Sequence, residues 1–400
     1  MNSSPELDHR LNRLQQRTLV AGLLALAIAA GWAIANPTQF FRSYLVAYVF
    51  WMFFPLGCLA LLMLHHLAGG YWGFVIRRPL EAGTRTFPWM AILFVPILVG
   101  LPRLYAWVGA QAASDPVWQN KRFYLNLPFF VSRAVVYFAA WILLAHFLNK
   151  WSSEQDRREA GQEVAAGLTV HSRFQALSGA GLVIYGLTVT YGFIDWVMSL
   201  ERDFFSTIYG MIFMIGPALA ALAFVVIVVR LLSGEKPLAL VIEESHFHDL
   251  GNIMLTFVML WAYLAFSQFL IIWAGNLQDE IPWYMSRARG GWAGVAVGLI
   301  VLHWGVPFVL LLNRPVKRHR RVLAAVATGL LVMSLVDVYW LVTPAFEPAR
   351  PRVHPLDLVA VVGIGAVWIS RFVAELRKRP LLPLHDPRFV EAPFGLAEAE

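Results

Sequence analysis

Ten apolar runs, each about as long as a membrane-spanning helix, are the feature of this 400-residue sequence that most restricts its fold. About 20 residues at ~1.5 Å per residue cross a hydrocarbon core of roughly 30 Å. The runs are Thr18–Ala35, Tyr44–Leu64, Phe87–Val108, Phe129–Leu148, Gln175–Leu200, Ser206–Leu232, Leu250–Gly275, Trp292–Leu312, Val322–Leu341 and Leu356–Phe372. The connections are too short for an independent soluble domain. The sequence therefore predicts an all-α integral membrane protein with ten transmembrane helices.

The composition agrees with this class, since 58% of the residues are hydrophobic, 14% are charged and the mean hydropathy is +0.60. Three arginines before the first run and the tripeptide Ala33–Ala35 also fit a signal peptide with a cleavage site. The acidic residues Glu6 and Asp8 and the nine later runs favour an ordinary first membrane span instead.

The distribution of Lys and Arg predicts the orientation in the membrane. Connections on the side of the N-terminus, called side A, carry 22 of the 32 Lys and Arg residues, and the opposite side B carries 10. Because positive residues concentrate on the cytoplasmic side, both termini are expected in the cytoplasm. The net charge of +7 then reflects topology and contact with anionic lipid, and nucleic acid is not needed to explain it.

The cysteine content excludes several redox centres within this chain. Cys58, inside the second run, is the one cysteine, so the sequence holds no internal disulfide, no cysteine set for an iron–sulfur cluster and no CxxCH haem attachment site. A haem between two histidines stays open, but only His303 of the eleven histidines lies deep in a run. No metal-ligand spacing is present.

Ionisable residues in the second half of the chain form a series ordered by depth. They are His246, His248 and Asp249 at the side-A end of span seven, His303 near the middle of span eight, and Asp337 and Glu280 towards side B. Each charge at the bilayer centre costs about 2.5–3.5 kcal/mol, so such groups call for a function, and with bridging water they predict a proton path. Two structural alternatives stay open: Asp249 as the N-cap of span seven, and His303 as a core histidine that donates to a backbone carbonyl.

The first half offers a different set, near the side-B end of span five. Asp195 lies there with Tyr191 and Arg133 at a similar depth, which makes these three residues candidates for a quinone site. Quinol oxidation needs a base near the hydroxyl group, and Asp195 is a group of that kind. A structural ion pair between Asp195 and Arg133 or Arg202 is the alternative.

Two long stretches carry a resemblance to a known family. HDLGNIMLTFVMLWAYLAFSQFLIIWAGNLQDEIPWY and DWVMSLERDFFSTIYG resemble the ActF family of membrane subunits of alternative complex III, a bacterial quinol:electron-acceptor oxidoreductase of the respiratory chain. The resemblance covers essentially the whole chain. It implies an NrfD-like fold with four-helix bundles over residues 44–205 (spans two to five) and 206–355 (spans six to nine). Residues 1–43 with the first helix and residues 356–400 with the tenth helix and a cytoplasmic tail would flank them.

The resemblance also implies partners and a location. The partners are a sister NrfD-like membrane subunit, an iron–sulfur subunit, pentahaem and monohaem cytochromes, small membrane subunits and lipid. The haems and iron–sulfur clusters would belong to these partners, and the substrate would be quinol or menaquinol, with no cofactor bound covalently here. The location would be the bacterial inner membrane. Because the sister subunit is credited with most quinol oxidation, this chain is expected to anchor the complex and to conduct protons through its second bundle.

Two further hypotheses remain. In one, this chain oxidises quinol itself and Asp195 is the base. In the other, it is an independent secondary transporter, although the sequence shows no clear pair of Gly/Pro-broken helices in corresponding halves.

Overall fold

The computed structural model describes residues 5–157, 163–236 and 238–383, with side chains except those of Gln111 and residues 163–171. Ten helices in these ranges are long and apolar enough to cross a membrane, which confirms the predicted number. Spans 1 to 10 are Pro5–Ala35, Pro37–Ala68, Phe87–Leu104, Leu127–Asp156, Glu163–Trp196, Tyr209–Leu232, Glu244–Gly275, Gly291–Leu312, Arg320–Val342 and Pro355–Leu376. Most extend beyond the predicted ends because polar residues continue the helix past the apolar run. The end of the predicted tail, residues 384–400, lies outside the described residues.

Short helices complete the connections, and the described ranges contain no β-strand. The α-helical pieces are Trp72–Thr84, Pro116–Lys121, Ile281–Arg287 and Arg314–Arg318. Single 3₁₀ turns lie at Ala106–Val108, Ala110–Ala113, Met198–Leu200, Leu238–Leu240 and Thr343–Ala345.

Spans 2 and 6 form the centre of the molecule. Both are apolar on all sides, and most of their residues are buried within the protein, as expected for helices surrounded by other helices. They cross at Gly57, where a Cβ atom would stand 1.9 Å from the carbonyl oxygen of Pro217. Small residues let membrane helices approach this closely. The two halves of the chain are therefore joined by a packed helix crossing.

The other spans pack around this centre in a regular order. Span 2 contacts spans 3 and 5, and span 4 contacts the same two spans. Span 6 contacts spans 7 and 9, and span 8 contacts those two as well. Spans 1 and 10 lie along each other, with Gly22 against Val367, and span 10 also packs on span 2.

The helix Trp72–Thr84 at side A is buried and carries an ionic network. Arg77 and Arg78, counted above as loop charges, lie 2.9 and 2.8 Å from the carboxylate of Glu81, and all three side chains are almost fully buried. Burial alone would raise the pKa of Glu81, but the charges of Arg78 and Arg77 and a hydrogen bond from Ser152 outweigh it and hold that pKa at about 2. We call these four residues the Glu81 cluster. Its arginines belong to the core of side A, so they are not free loop charges.

Candidate functional site

His303 lies in a π-helical turn at the middle of span 8. Gly291–Gly298 and Val306–Leu312 are α-helical, and Leu299–Gly305 between them is π-helical. Such turns re-aim side chains inside an α-helix and are frequent at functional sites. Here the turn places His303 in the protein interior, where the side chain is 1% exposed.

Trp261 of span 7 connects His303 with Asp337 of span 9. The indole stacks on the imidazole, with ring centroids 4.3 Å apart and ring planes 17° apart. The indole Nε1–H donates a hydrogen bond of 3.0 Å to Oδ2 of Asp337. We call Trp261, His303 and Asp337 the His303 site. Three spans supply one side chain each, so the site depends on the packing of spans 7, 8 and 9.

Asp337 and His303 are both buried with few polar partners. Asp337 is 4% exposed, and no Lys or Arg of the described residues lies within ion-pair distance of it. A carboxylate without a counter-ion is costly to bury as an anion. Neither ring nitrogen of His303 makes a hydrogen bond of ordinary geometry in the described ranges, although the ring does interact with the backbone of Met333, as the alternative of a core histidine requires. The site therefore holds two proton-binding groups with free hydrogen-bonding capacity. Ser334, in the same span as Asp337, does not donate a hydrogen bond to either group, because its hydroxyl donates to the carbonyl of Leu330.

At the side-A end of span 7, the predicted capping role of Asp249 is wrong. The helix begins at Glu244, so Asp249 is already in its second turn. Glu243 is the N-cap, and its amide donates to Nδ1 of His246 at 3.1 Å in a capping box. Asp249 is half exposed and lies 3.6 Å from Nδ1 of His248. The prediction failed because the helix continues through the polar residues before the apolar run.

Asn252 and Lys317 extend this polar group inward. The buried Lys317 donates to Oδ1 of Asn252 at 2.7 Å, and the Asn252 amide lies 3.3 Å from Nδ1 of His248. Nine residues separate Asn252 from Trp261 along span 7, which is ~13 Å at helical rise. Apolar side chains such as Met254 and Val258 occupy that interval. The side-A group and the His303 site are therefore separate, and a proton would need several waters to pass between them.

Towards side B, the structure reveals an arginine that the sequence did not single out. Arg287, on the helix Ile281–Arg287, is 1% exposed and stacks over Trp283 at 3.8 Å. It donates to the carbonyls of Trp283 and Leu341 at 3.0 and 2.9 Å and to Glu201 at 3.2 Å. Burial lowers the pKa of Arg287, and the Glu201 carboxylate opposes that shift. Arg287 thus closes the side-B end of spans 6 to 9 with a buried positive charge.

Polar groups lie between Arg287 and the His303 site. Tyr209 of span 6 is buried and within electrostatic reach of both Asp337 and Arg287. Gln268 lies beside the phenol of Tyr284, and its amide oxygen is buried without a hydrogen bond among the described residues. Glu280 is also buried, at 9% exposure. The interval from Asp337 to side B is therefore more polar than the one to side A.

The expected ion pair between Arg133 and Asp195 is present in the first half. Nε and Nη2 of Arg133 donate to the two oxygens of Asp195, each at 2.8 Å, and the Tyr137 hydroxyl donates to Oδ2 at 2.9 Å. Asp195 is completely buried. Tyr191 is 46% exposed on the outer face of span 5. The phenol beside Asp195 is instead that of Tyr137 on span 4. We call Arg133, Tyr137 and Asp195 the Asp195 clamp.

No known protein-family profile matches this chain, and a search of curated proteins finds no relative at a significant level of similarity. Within the ranges that the structure describes, no group of three or more His, Cys, Asp or Glu residues could hold a metal ion. Of the predicted residues, the structure brings together His303 with Asp337 through Trp261, His248 with Asp249, and Arg133 with Asp195. Their functional roles stay predictions.

Proposed function

We propose that this chain is a membrane subunit of alternative complex III that contains no redox centre of its own. It would anchor the complex in the bacterial inner membrane, with both termini in the cytoplasm. The two long motifs support the family. An NrfD-like arrangement of two four-helix bundles is supported by the contacts among spans 2–5 and among spans 6–9, with spans 1 and 10 paired outside them. The partners would be those of the family: a sister membrane subunit, an iron–sulfur subunit, haem-containing cytochromes and small membrane subunits.

We further propose that the second bundle conducts protons. One observation carries this proposal: a buried carboxyl group, Asp337, with no cationic partner among the described residues, linked through Trp261 to a buried histidine in a π-helical turn. Proton carriers in membranes are ionisable groups of this kind, facing the bundle interior. Asp337 would take up and release the proton, and Trp261 would hold its carboxyl group in position.

The remaining groups would bring the proton to this site and lead it away. His248 and Asp249 would collect protons at side A, and waters would bridge the ~13 Å of helix between Asn252 and Trp261. On side B the proton would leave past the buried polar side chains Tyr209 and Gln268.

The test is His303→Phe and Asp337→Asn in the assembled complex, with quinol:acceptor turnover and proton release measured in the same liposomes. We expect proton release per electron to fall while uncoupled turnover is retained. Ser334→Ala is the matched control, because its hydroxyl is already used by its own helix. Unchanged proton release in both variants would reject the His303 site as a proton route.

Quinol oxidation at Asp195 is less well supported. Both of its oxygens accept hydrogen bonds from Arg133 or Tyr137, and the side chain has no exposed surface through which to reach a quinol. A carboxylate paired in this way is a poor base for a substrate hydroxyl. An independent transporter would purify as a stable chain without cytochrome partners, so co-purification separates that hypothesis from the proposal.

A further inference from the structure

A crevice of about 510 Å³ opens at side A between spans 3, 4 and 10. Its lining includes the apolar Pro88, Ile142 and Ala145 and the basic Lys150 and Arg157. Because span 4 runs towards side A, Ile142 and Ala145 lie deeper in the membrane than Lys150 and Arg157, which lie at the side-A mouth. Lys150 follows Ile142 by eight residues on span 4, which is ~12 Å along the helix. The wall therefore changes from apolar to basic over the depth at which a phospholipid changes from acyl chain to headgroup.

Positive charge predominates in this crevice. The basic residues that line it are Arg85, His146, Lys150, Arg157 and Arg379, and the acidic residues are Glu154 and Glu375. Two of the cations, Arg85 and Arg379, form the back of the crevice and are held in place by neighbouring residues. Arg85 donates to the Asn149 side chain at 2.8 Å and lies 3.5 Å from Glu375, and Arg379 donates to the Asn149 carbonyl at 2.7 Å.

The cations at the mouth are free to meet a ligand. Lys150 and Arg157 are exposed, and neither forms an ion pair with any residue that the structure describes. Their long side chains can follow the crevice wall while the charged ends stay at headgroup level. The fixed pair at the back and the free pair at the mouth thus surround one volume.

We infer that this crevice binds the phosphate headgroup of an anionic phospholipid, with an acyl chain lying along Ile142 and Ala145. Basic pockets between membrane helices on the cytoplasmic side are suited to such headgroups, and guanidinium groups bind phosphate oxygens through paired hydrogen bonds. The apolar deeper wall distinguishes this site from one for free phosphate, which has no group to place there.

Bound lipid would also reinforce side A. Arg379 reaches from the crevice to Glu81 at 3.2 Å, and Arg85 directly follows the buried helix Trp72–Thr84. A phosphate that fixes these two arginines therefore stabilises the Glu81 cluster behind them. The full chain should unfold at a higher temperature with the anionic lipid than with a zwitterionic lipid of the same acyl chains.

The experiment is native mass spectrometry of the full-length chain in detergent, titrated with cardiolipin, phosphatidylglycerol or phosphatidylcholine of matched acyl chains. Each basic residue near the surface contributes ~1 kcal/mol to binding of anionic lipid, so Lys150→Gln/Arg157→Gln should weaken binding about 30-fold, at ~1.4 kcal/mol per tenfold. Arg318→Gln/Arg321→Gln is the matched control. It removes two exposed side-A cations outside the crevice and should leave the affinity unchanged.

Selective binding of either anionic lipid, lost in the crevice variant and kept in the control, is the expected result. Equal losses in both variants would mean diffuse surface charge and would overturn the inference. So would equal binding of phosphatidylcholine. If inorganic phosphate alone displaced the bound lipid at low millimolar concentration, the site would be one for free phosphate.

Discussion

Asp195→Asn removes the negative charge from the Asp195 clamp and keeps the size of the side chain. In the wild type, Arg133 donates to both carboxylate oxygens at 2.8 Å, and Tyr137 donates at 2.9 Å. In the variant, Arg133 loses its counter-charge, and one former oxygen becomes an NH₂ group that opposes donors. Because the pair is buried, we expect a large loss of stability.

The magnitude follows from two limits. Neutralising one partner of a buried ion pair costs ~3–5 kcal/mol, since the other charge remains buried. Hydrogen bonds inside membrane bundles average only ~0.6 kcal/mol, which gives ~2 kcal/mol for the bonds of this clamp. Arg133 keeps some stabilisation, because its guanidinium lies 3.8 and 4.3 Å from the ring centroids of Tyr124 and Phe129. We therefore expect a loss of ~3 kcal/mol.

The assay is a double-mutant cycle of unfolding in mixed detergent and dodecyl sulfate micelles. Arg133→Gln/Asp195→Asn leaves no buried charge, so it should lose less stability than Asp195→Asn alone. The coupling energy should be ~1–2 kcal/mol, within the range for residues in direct contact. If the proposed function holds, quinol turnover of the complex should decrease only in proportion to the amount of folded subunit.

A catalytic role for Asp195 predicts the reverse pattern. Asp195→Asn would then unfold at nearly the wild-type denaturant concentration, and turnover per assembled complex would disappear. Replacing Arg133 as well would not restore turnover. That outcome would refute the clamp and make the quinol hypothesis the better account of Asp195.

Two other substitutions test the packing of the fold. Glu81 has a pKa of about 2 in the folded protein, against an ordinary value of 4.5. Its ionised form therefore contributes ~3 kcal/mol to the free energy of unfolding. This contribution is complete above pH ~4.5 and is lost as the pH falls towards 2. Glu81→Gln should lose that stability at neutral pH and abolish the pH dependence of unfolding in this window; an unchanged dependence would contradict the assignment. Gly57→Ala should destabilise by more than ~2 kcal/mol, because the new methyl group meets the carbonyl of Pro217. Gly329→Ala, where nothing lies within 4 Å, should cause no loss of stability in the same unfolding assay.

The ten spans could be predicted from the sequence because lipid imposes a simple rule on it. Backbone polar groups in a bilayer must be satisfied within a helix, so each long apolar run is a spanning helix. The ends were less predictable, since polar residues continue the helix once it leaves the hydrocarbon. Span 7 begins at Glu244, six residues before the predicted Leu250, and this difference removes Asp249 from the capping position.

For the candidate sites, the sequence indicated depth but not direction. His303 and Asp337 could be assigned to their depths from run lengths, whereas the contact through Trp261 depends on the rotation of three helices. The π-helical turn that rotates His303 leaves no recognised mark in a single sequence. One signal was available and was missed: Tyr137 follows Arg133 by four residues, so both side chains share a face of span 4. Tyr191, four residues before Asp195, is exposed instead.

Asp195 and Asp337 show how partners decide the chemistry of similar residues. Each lies near the side-B end of the fourth span of its set of four. Against Asp195, span 4 places Arg133, which donates to both carboxylate oxygens. At the second site, span 8 supplies His303 and span 7 supplies the neutral indole of Trp261. Because an unpaired buried carboxyl group can change its protonation state at far lower cost than a paired one, proton transfer is expected in the second half and structural clamping in the first. His303→Arg should therefore place a cation beside Asp337 and turn the His303 site into an ion pair like that of the Asp195 clamp. This variant should be more stable than His303→Phe and should release no protons.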